Sequence, residues 1–284
     1  MNGEYIKIGL HKRYEFTKAG FLYVKNKLES GVSYRKISKD LDINPDTLSS
    51  MAKRYNIAKD NRRKFTINEN YFSKIDSKEK AYWLGFLSAD GYVDQDRGVI
   101  NITLQTSDKD HVQKFLNAIE SNKTIKKCHS YFNDKDHVTN GVFINSKKMT
   151  QDLLKYGLYK NKSLTLSPPS SEQIPRCWIK YWILGYYDGD GGLTIWKDKS
   201  NFRYKMTFLG TKEVINYIQD FLQTNKNIRL AHNCKETYEV AYTEVPTKQI
   251  LDYFYSEPDI LDFCLKRKYN KYIEICNIWR SKHG

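Results

Sequence analysis

Asp90 and Asp190 are the residues whose surroundings most suggest chemistry. Each closes an apolar stretch and precedes a glycine, in AYWLGFLSADG at 81–91 and in YWILGYYDGDG at 181–191. A carboxylate in the last turn of a helix is disfavoured by roughly 0.3–1 kcal/mol, because the helix dipole is negative there. A bound cation would remove this penalty, and so would plain exposure to solvent. A lone Asp-Gly pair is commonly no more than a turn.

The two stretches are copies of one another. Four residues recur one hundred positions later, namely Leu84, Gly85, Asp90 and Gly91 as Leu184, Gly185, Asp190 and Gly191. Such an internal repeat fixes the architecture. Small residues spaced four apart in both copies, Gly85 with Ala89 and Gly185 with Gly189, predict two helix backbones in close contact. Gly191 predicts a left-handed helix end. Close contact would bring the two aspartates together.

Paired carboxylates predict a metal site. Two of them in one small space repel each other unless a cation lies between them. Oxygen ligands with room for water and phosphate suit Mg²⁺, and Mn²⁺ is expected to substitute. On a basic surface this arrangement predicts metal-dependent hydrolysis of phosphodiester bonds, with Asp90 and Asp190 as catalytic and metal-binding residues.

The net charge indicates the partner. The chain of 284 residues carries +14 and has a pI near 9.3, which points to nucleic acid or to an acidic membrane surface. The sequence has no apolar stretch of about 18 residues and no signal-peptide core, so a membrane is disfavoured. We therefore predict nucleic acid as the partner and, without a signal peptide, a cytoplasmic location, meaning a bacterial, phage or organellar interior. A basic chain without such a partner is the alternative.

The chain is predicted to form three segments, 1–64, 65–170 and 171–284. The first holds 15 Lys/Arg against 7 Asp/Glu and ends in the linker NRRKF at 61–65. Helices are predicted from Thr17 to Glu29, after the capping residue Ser33, and from Pro45. They resemble a helix-turn-helix, which predicts a small all-α DNA-binding domain. A helical hairpin that only packs or docks a protein is the alternative.

In a helix-turn-helix the second helix enters the major groove with its N-terminal residues at base edges. The residues expected to contact bases or phosphates there are Thr47, Ser49, Ser50, Lys53 and Arg54.

Each of the other two segments is predicted to run α-β-β-α-β-β-α, which gives an α+β fold of two pseudo-symmetric repeats. The predicted strands are 99–106, 124–132, 137–145, 193–197, 202–209, 227–233 and 235–243, with helices at 108–120, 147–156, 211–224 and 246–255. Strands 99–106 and 202–209 alternate, with Phe202 among the core-facing residues. Their polar faces supply the other candidate DNA contacts: Asn101, Thr103, Arg203, Lys205 and Thr207. Any half-buried strand has a polar face, which is the alternative.

WLGFLSADG (83–91) and ILGYYDGDG (183–191) resemble the paired signature of single-chain LAGLIDADG homing endonucleases. The resemblance covers residues 70–284. It implies two signature helices at a pseudo-dyad, sheets that form a saddle over a long DNA site, and a monomer that cuts both strands. By position it implies that Asp90 and Asp190 bind the metal. The earlier signature acid is Asp188 but Ser88 in the first copy. That position is mainly structural in the family, so we expect a tolerated substitution, with a weakened half-site as the alternative.

The resemblance also implies a basic residue of each repeat near the scissile phosphates. Lys148 and Lys248 match this place, with Lys147 as a rival and a solvated lysine as the alternative. Gln105 is a candidate for orienting the attacking water, and Leu209 is its apparent counterpart. KNKS (160–163) and LKRKYNKY (265–272) are expected to contact the DNA backbone.

Two other functions fit the same fold: a catalytically weak or inactive DNA-binding regulator, and an intron maturase with RNA as its partner. The presence of both signature acids favours the nuclease. The chain starts with Met1 and ends in SKHG, without the splicing residues of an intein, which favours a free-standing enzyme.

Overall fold

The computed structural model describes residues 3–9, 13–57, 65–132, 135–199 and 201–283. The chain divides into two compact units, Met1–Lys64 and Phe65–Gly284, and each has its own hydrophobic core. Residues 61–64 of the predicted linker lie outside the described residues. In the part of the chain that the structure describes, no helix is long and apolar enough to cross a membrane.

In its described residues, 3–9 and 13–57, the first unit contains a small antiparallel hairpin and three helices. In chain order these are β1 (Ile6–Ile8), β2 (Tyr14–Phe16), α1 (Lys18–Glu29), α2 (Tyr34–Leu41) and α3 (Pro45–Arg54). The predicted Ser33 cap of α2 is confirmed, since its side chain accepts from the Lys36 amide. The prediction of an all-α segment is wrong. The two strands are too short to show an alternating pattern, yet Ile6 and Phe16 bury their side chains in the core.

The second unit confirms the two α-β-β-α-β-β-α repeats. The first repeat contains α4 (Lys78–Asp90), β3 (Tyr92–Asp94), β4 (Val99–Gln105), α5 (Lys109–Ala118), β5 (Lys126–Phe132), β6 (Lys135–Asn145) and α6 (Lys147–Leu154). The second contains α7 (Ile179–Asp190), β7 (Gly192–Asp198), β8 (Asn201–Gly210), α8 (Lys212–Leu222), β9 (Arg229–Leu230), β10 (Tyr238–Thr243) and α9 (Val245–Phe254), followed by α10 (Lys266–His283). Each repeat forms one antiparallel sheet, in the orders β3-β4-β6-β5 and β7-β8-β10-β9.

The end of the second repeat departs from the sequence prediction. β9 is two residues long, and a turn held by a hydrogen bond from the Cys234 amide to the Ala231 carbonyl follows it within the predicted strand. α10 was not predicted, since its sequence is mostly polar. Ile275, Ile278 and Lys268 are nevertheless buried along it.

α4 and α7 pack with their backbones in direct contact, as the small residues predicted. A Cβ atom on Gly85 would lie 2.0 Å from the Trp182 carbonyl oxygen, and one on Gly185 would lie 2.0 Å from that of Tyr82. One on Gly189 would lie 2.5 Å from the Ala89 Cβ. No side chain larger than hydrogen fits at these glycines without moving a helix.

The prediction of a left-handed end at Gly191 is wrong. Gly91 and Gly191 have φ values of −84° and −80° and are extended, because the chain continues directly into β3 and β7. Glycine is required there for space. A Cβ would lie 2.6 Å from Leu87 Cδ2 in the first repeat and 2.2 Å from Tyr187 Cδ2 in the second.

Candidate active site

Asp90 and Asp190 are neighbours at the C-terminal ends of α4 and α7. At this end a Cβ on Gly189 would lie 3.2 Å from the Asp90 amide nitrogen. Residues 81–88 and 181–188 are buried, whereas both aspartates reach solvent. The helix pair therefore presents two carboxylates side by side at a surface.

The surroundings of the two carboxylates change their pKa values. Partial desolvation by the surrounding protein atoms raises the pKa of Asp90 to about 7, and the charge of Asp190 adds to this increase. Desolvation also raises the pKa of Asp190. Lys162 and Lys268 act in the opposite direction on both acids. Two acids and two lysines thus share one electrostatic site.

Both lysines are buried and hold the helix ends. The Lys162 ammonium donates to the Gly91 carbonyl oxygen at 2.5 Å. The Lys268 ammonium donates to the carbonyl oxygens of Tyr187, Asp188 and Gly191, the last at 2.6 Å. Burial lowers the pKa of Lys268 to about 8. These cations offset the negative end of each helix dipole.

The expectation that Lys162 and Lys268 contact the DNA backbone is therefore wrong. Only 5% and 2% of their surfaces are exposed. One signal was available in the sequence, since KNKS and LKRKYNKY close the two repeats alike. Paired lysines at equivalent places in a repeat indicate a shared structural position more than a solvated surface.

The other predicted catalytic residues are paired with acids other than Asp90 and Asp190. Lys148 and Lys248 pair with Asp152 and Asp252 on their own helices, the Lys248 ammonium lying 2.6 Å from Asp252 Oδ1. Gln105 donates to Asp108 Oδ2 at 2.9 Å. None of the three is among the groups that shift the pKa of Asp90 or Asp190. Their catalytic roles stay predictions, as does that of the exposed Lys147.

Strand register corrects the counterpart of Gln105. Tyr92 pairs with Asn101, and the equivalent Gly192 pairs with Thr207. Asn101 and Thr207 are therefore equivalent. Gln105 lies four residues after Asn101, so its counterpart is Thr211, four residues after Thr207, which caps α8. Leu209, the predicted counterpart, matches Thr103.

Asp188 is a structural acid. Its Oδ2 accepts from the Tyr82 hydroxyl at 2.7 Å and from the Leu265 amide at 2.8 Å, so it joins α4 to the segment before α10. Ser88, at the equivalent place, donates to the Leu84 carbonyl within its own helix at 2.8 Å. Both side chains are buried. The geometry supports the interpretation that serine is tolerated at this position.

The donor set fits a hard divalent cation. Within the described ranges, no cluster of three or more His, Cys, Asp or Glu side chains is suited to hold a metal. Asp90 and Asp190 are two neighbouring carboxylates that could hold such a cation only together with ligands from outside the protein, such as water or phosphate. Mg²⁺ is characteristically bound by one or two carboxylates plus such ligands.

The sheets place the predicted DNA contacts on open faces. One face of β4 is buried in the core and carries Ile100, Ile102 and Leu104. The opposite face is half exposed and carries Asn101 and Thr103. In β8 the open face carries Arg203, Lys205 and Thr207, opposite the buried Tyr204, Met206 and Phe208. The predicted core position of Phe202 is wrong, because 45% of its surface is exposed at the strand end.

In the first unit, α3 exposes the predicted residues on one side. Ser50, Lys53 and Arg54 are exposed, and Thr47 and Ser49 are half exposed. Asn44 caps the helix through a 2.8 Å bond from the Asp46 amide. A DNA-contacting role for this surface stays a prediction.

Residues 77–156, from α4 to α6, match the family model of the LAGLIDADG-like domain. The first repeat is therefore similar to a LAGLIDADG-like domain. The resemblance of WLGFLSADG is thereby confirmed. The second signature, in α7, lies outside the matched residues and is related to the LAGLIDADG-like domain by the internal repeat and the shared fold.

An uncharacterized protein of Methanocaldococcus jannaschii is 26% identical over 160 residues, which are 52% of this chain and 54% of that protein. The chain therefore spans about half the length of this relative.

Similar solved structures include the I-LtrWI LAGLIDADG homing endonuclease bound to target DNA, with 12% identity, a TM-score of 0.49 and coverage of 76% of this chain and 92% of that one. They also include DUF199/WhiA from Thermatoga maritima, with 13% identity, a TM-score of 0.41 and coverage of 75% and 66%. Likeness at these TM-scores carries no argument about activity, which depends on the geometry of the site.

In the metal-free protein we expect stability to rise as the pH falls from about 7 to about 4. Folded Asp90 has a pKa near 7, whereas its ordinary value is 3.8, so in this range the folded state binds more protons than the unfolded chain. The stabilisation that proton binding by Asp90 provides is complete below the ordinary pKa of 3.8 and is lost as the pH rises through about 7.

Thermal melts in EDTA across this range, compared with Asp90→Asn, isolate the contribution of Asp90. An identical pH dependence in the two proteins would show that Asp90 ionises normally. Added Mg²⁺ should stabilise the wild type most at the alkaline end, where both acids are ionised.

Proposed function

We propose that this protein is a site-specific endonuclease that hydrolyses phosphodiester bonds in both strands of a long double-stranded DNA target with Mg²⁺ or Mn²⁺. The observation that carries this is the meeting of Asp90 and Asp190 at the exposed end of a buried helix pair. A pure DNA-binding protein gains nothing from two carboxylates that repel phosphate.

The residues around the pair have distinct roles. Asp90 and Asp190 would hold the cations, which when bound supply water activation and stabilise the leaving oxygen. Lys162 and Lys268 fix the helix ends, and their charges oppose the rise that desolvation causes in the pKa of both acids. The open faces of the two sheets receive the DNA and set the register of the scissile bonds.

The decisive experiment is cleavage of a randomised duplex library by the purified chain. We expect double-strand cuts at one long site with Mg²⁺ or Mn²⁺, lost on chelation. The rate under single-turnover conditions should not rise as the square of protein concentration, because both repeats lie on one chain. Sequence-selective binding without cleavage would assign a regulator, and selective binding of structured RNA would favour the maturase.

Lys162→Met should slow cleavage roughly 10- to 100-fold, with DNA affinity retained. Without this cation the pKa of Asp90 rises further, so the acid limb of the pH–rate profile should move to higher pH. Lys155→Met is the matched control, since its ammonium lies 2.8 Å from Asp152 Oδ1 and the residue has no role assigned in cleavage. Equal slowing by both variants, without a shifted limb, would contradict the role given to Lys162.

The double variant Lys53→Ala, Arg54→Ala should weaken DNA binding and lower the slope of log affinity against log salt by roughly 2. Each exposed cation of α3 that neutralises a phosphate releases counterions, while cleavage of the core site should stay detectable. Lys25→Ala in α1, whose ammonium lies 4.0 Å from Glu29, is the control. Unchanged affinity and slope in the double variant would remove α3 from the DNA interface.

A further inference from the structure

Equivalent rows of the two sheets carry different chemistry. Two residues after Asp90, one row of the first sheet holds Tyr92, Asn101 and Phe143 side by side on the open face. Two residues after Asp190, the equivalent row of the second sheet holds Gly192, Thr207 and Ala241. The two rows occupy the same place relative to the acids, so they would meet equivalent base pairs of the two half-sites.

The first row presents an amide between two aromatic rings. Tyr92 and Phe143 are 40% and 43% exposed. Asn101 Oδ1 accepts from the Thr103 hydroxyl at 2.9 Å. Opposite Thr103 is Gly141, where a Cβ would lie 2.6 Å from that hydroxyl. The glycine makes room for Thr103, and Thr103 in turn holds the amide of Asn101.

The fixed amide retains its capacity to recognise a base. Its oxygen has a second lone pair, and no hydrogen bond among the described residues uses its nitrogen. Adenine presents one acceptor and one donor, N7 and the N6 amino group, in the major groove, and an asparagine amide matches both. Aromatic carbon such as that of Phe143 suits the C5-methyl group of thymine.

The second row lacks both features. A Cβ on Gly192 would lie 2.5 Å from the Thr207 hydroxyl, so this place is kept small. Thr207 offers a single hydroxyl, which can donate or accept and therefore pairs with any base edge. Ala241 adds no ring. The second row is therefore expected to discriminate little between base pairs.

We propose that Asn101 reads the adenine of an A·T pair in the half-site bound by the first repeat, that Thr103 is its positioning residue, and that the equivalent pair in the other half-site is unspecified. This rests on the proposed function, since it requires DNA on the open faces. The target is then asymmetric at equivalent positions, which fixes the orientation in which the protein binds.

The test is selection of bound sites from a randomised duplex library by the full chain in EDTA. Wild type should fix A·T at one position of one half-site and tolerate all four pairs at the equivalent position. Asn101→Ala should reduce the preference at that position roughly 5- to 100-fold and leave the others intact. Thr103→Val, which removes the hydroxyl that holds the amide, should reduce the A·T preference less than Asn101→Ala does. Thr207→Ala is the matched control and should leave the A·T preference at that position unchanged.

Two outcomes would overturn the proposal. The first is an Asn101→Ala protein that binds all sequences more weakly but retains the A·T preference, which would make Asn101 a phosphate contact. The second is a wild type that fixes the same base pair at both equivalent positions. A wild type that enriches no sequence at all would refute the proposed function, and this result differs from both.

Discussion

Asp90→Asn and Asp190→Asn should each suppress double-strand cleavage roughly 100-fold or more while DNA binding persists. The amide keeps the size of the side chain, so the helix pair should stay folded. The lost negative charge is what a divalent cation needs, and its removal also lessens repulsion of phosphate. Affinity should therefore be retained or increased.

Single-turnover cleavage and equilibrium binding on the same duplex measure the two effects separately. Asp96→Asn is the matched control, since Asp96 is an exposed acid of the same repeat. Asp188→Asn should act on stability more than on chemistry, because Asp188 binds Tyr82 and the Leu265 amide. A fully active Asp90→Asn, Asp190→Asn double variant would refute the nuclease and leave a DNA-binding protein.

Gly85→Ala or Gly185→Ala should lower the free energy of unfolding by about 2 kcal/mol or more. In an ordinary helix the same change is stabilising by about 1 kcal/mol. Here the new methyl group would lie 2.0 Å from a backbone carbonyl oxygen of the facing helix, so α4 and α7 must separate. Separation also moves Asp90 away from Asp190, and cleavage should fall further than stability alone accounts for.

Chemical denaturation gives the stability change. Ser88→Ala is the control, because it alters a buried residue of α4 without adding volume and removes only a bond to the Leu84 carbonyl. If Gly85→Ala is as stable as wild type, the close contact of the two helices is not the feature that holds the repeats together.

The sequence predicted the features that depend on spacing. The repeat at one hundred residues, with glycines and alanine four apart, was sufficient to place α4 against α7 and to bring Asp90 beside Asp190. Alternation in β4 and β8 identified their open faces. These inferences succeed because periodicity and small residues act directly on backbone geometry.

Features that depend on tertiary context were missed. Lys162 and Lys268 look like surface cations in KNKS and LKRKYNKY, and only the fold shows that each reaches the carbonyls of a helix end. The hairpin of β1 and β2 is too short for periodicity. The sequence of α10 is mostly polar, and one of its buried side chains is the cationic Lys268.

The contact between α4 and α7 also determines how the molecule can be recombined. Gly85 and Gly185 each leave space for a backbone carbonyl of the opposite helix, so the contacting faces of α4 and α7 are complementary. A chimera that takes one repeat from a different protein inherits only one of these faces, and it will need the partner face transplanted with it. The strands, by contrast, present their open faces away from this seam. On the proposed function, exchange of strand residues should therefore change the target of one half-site at a time.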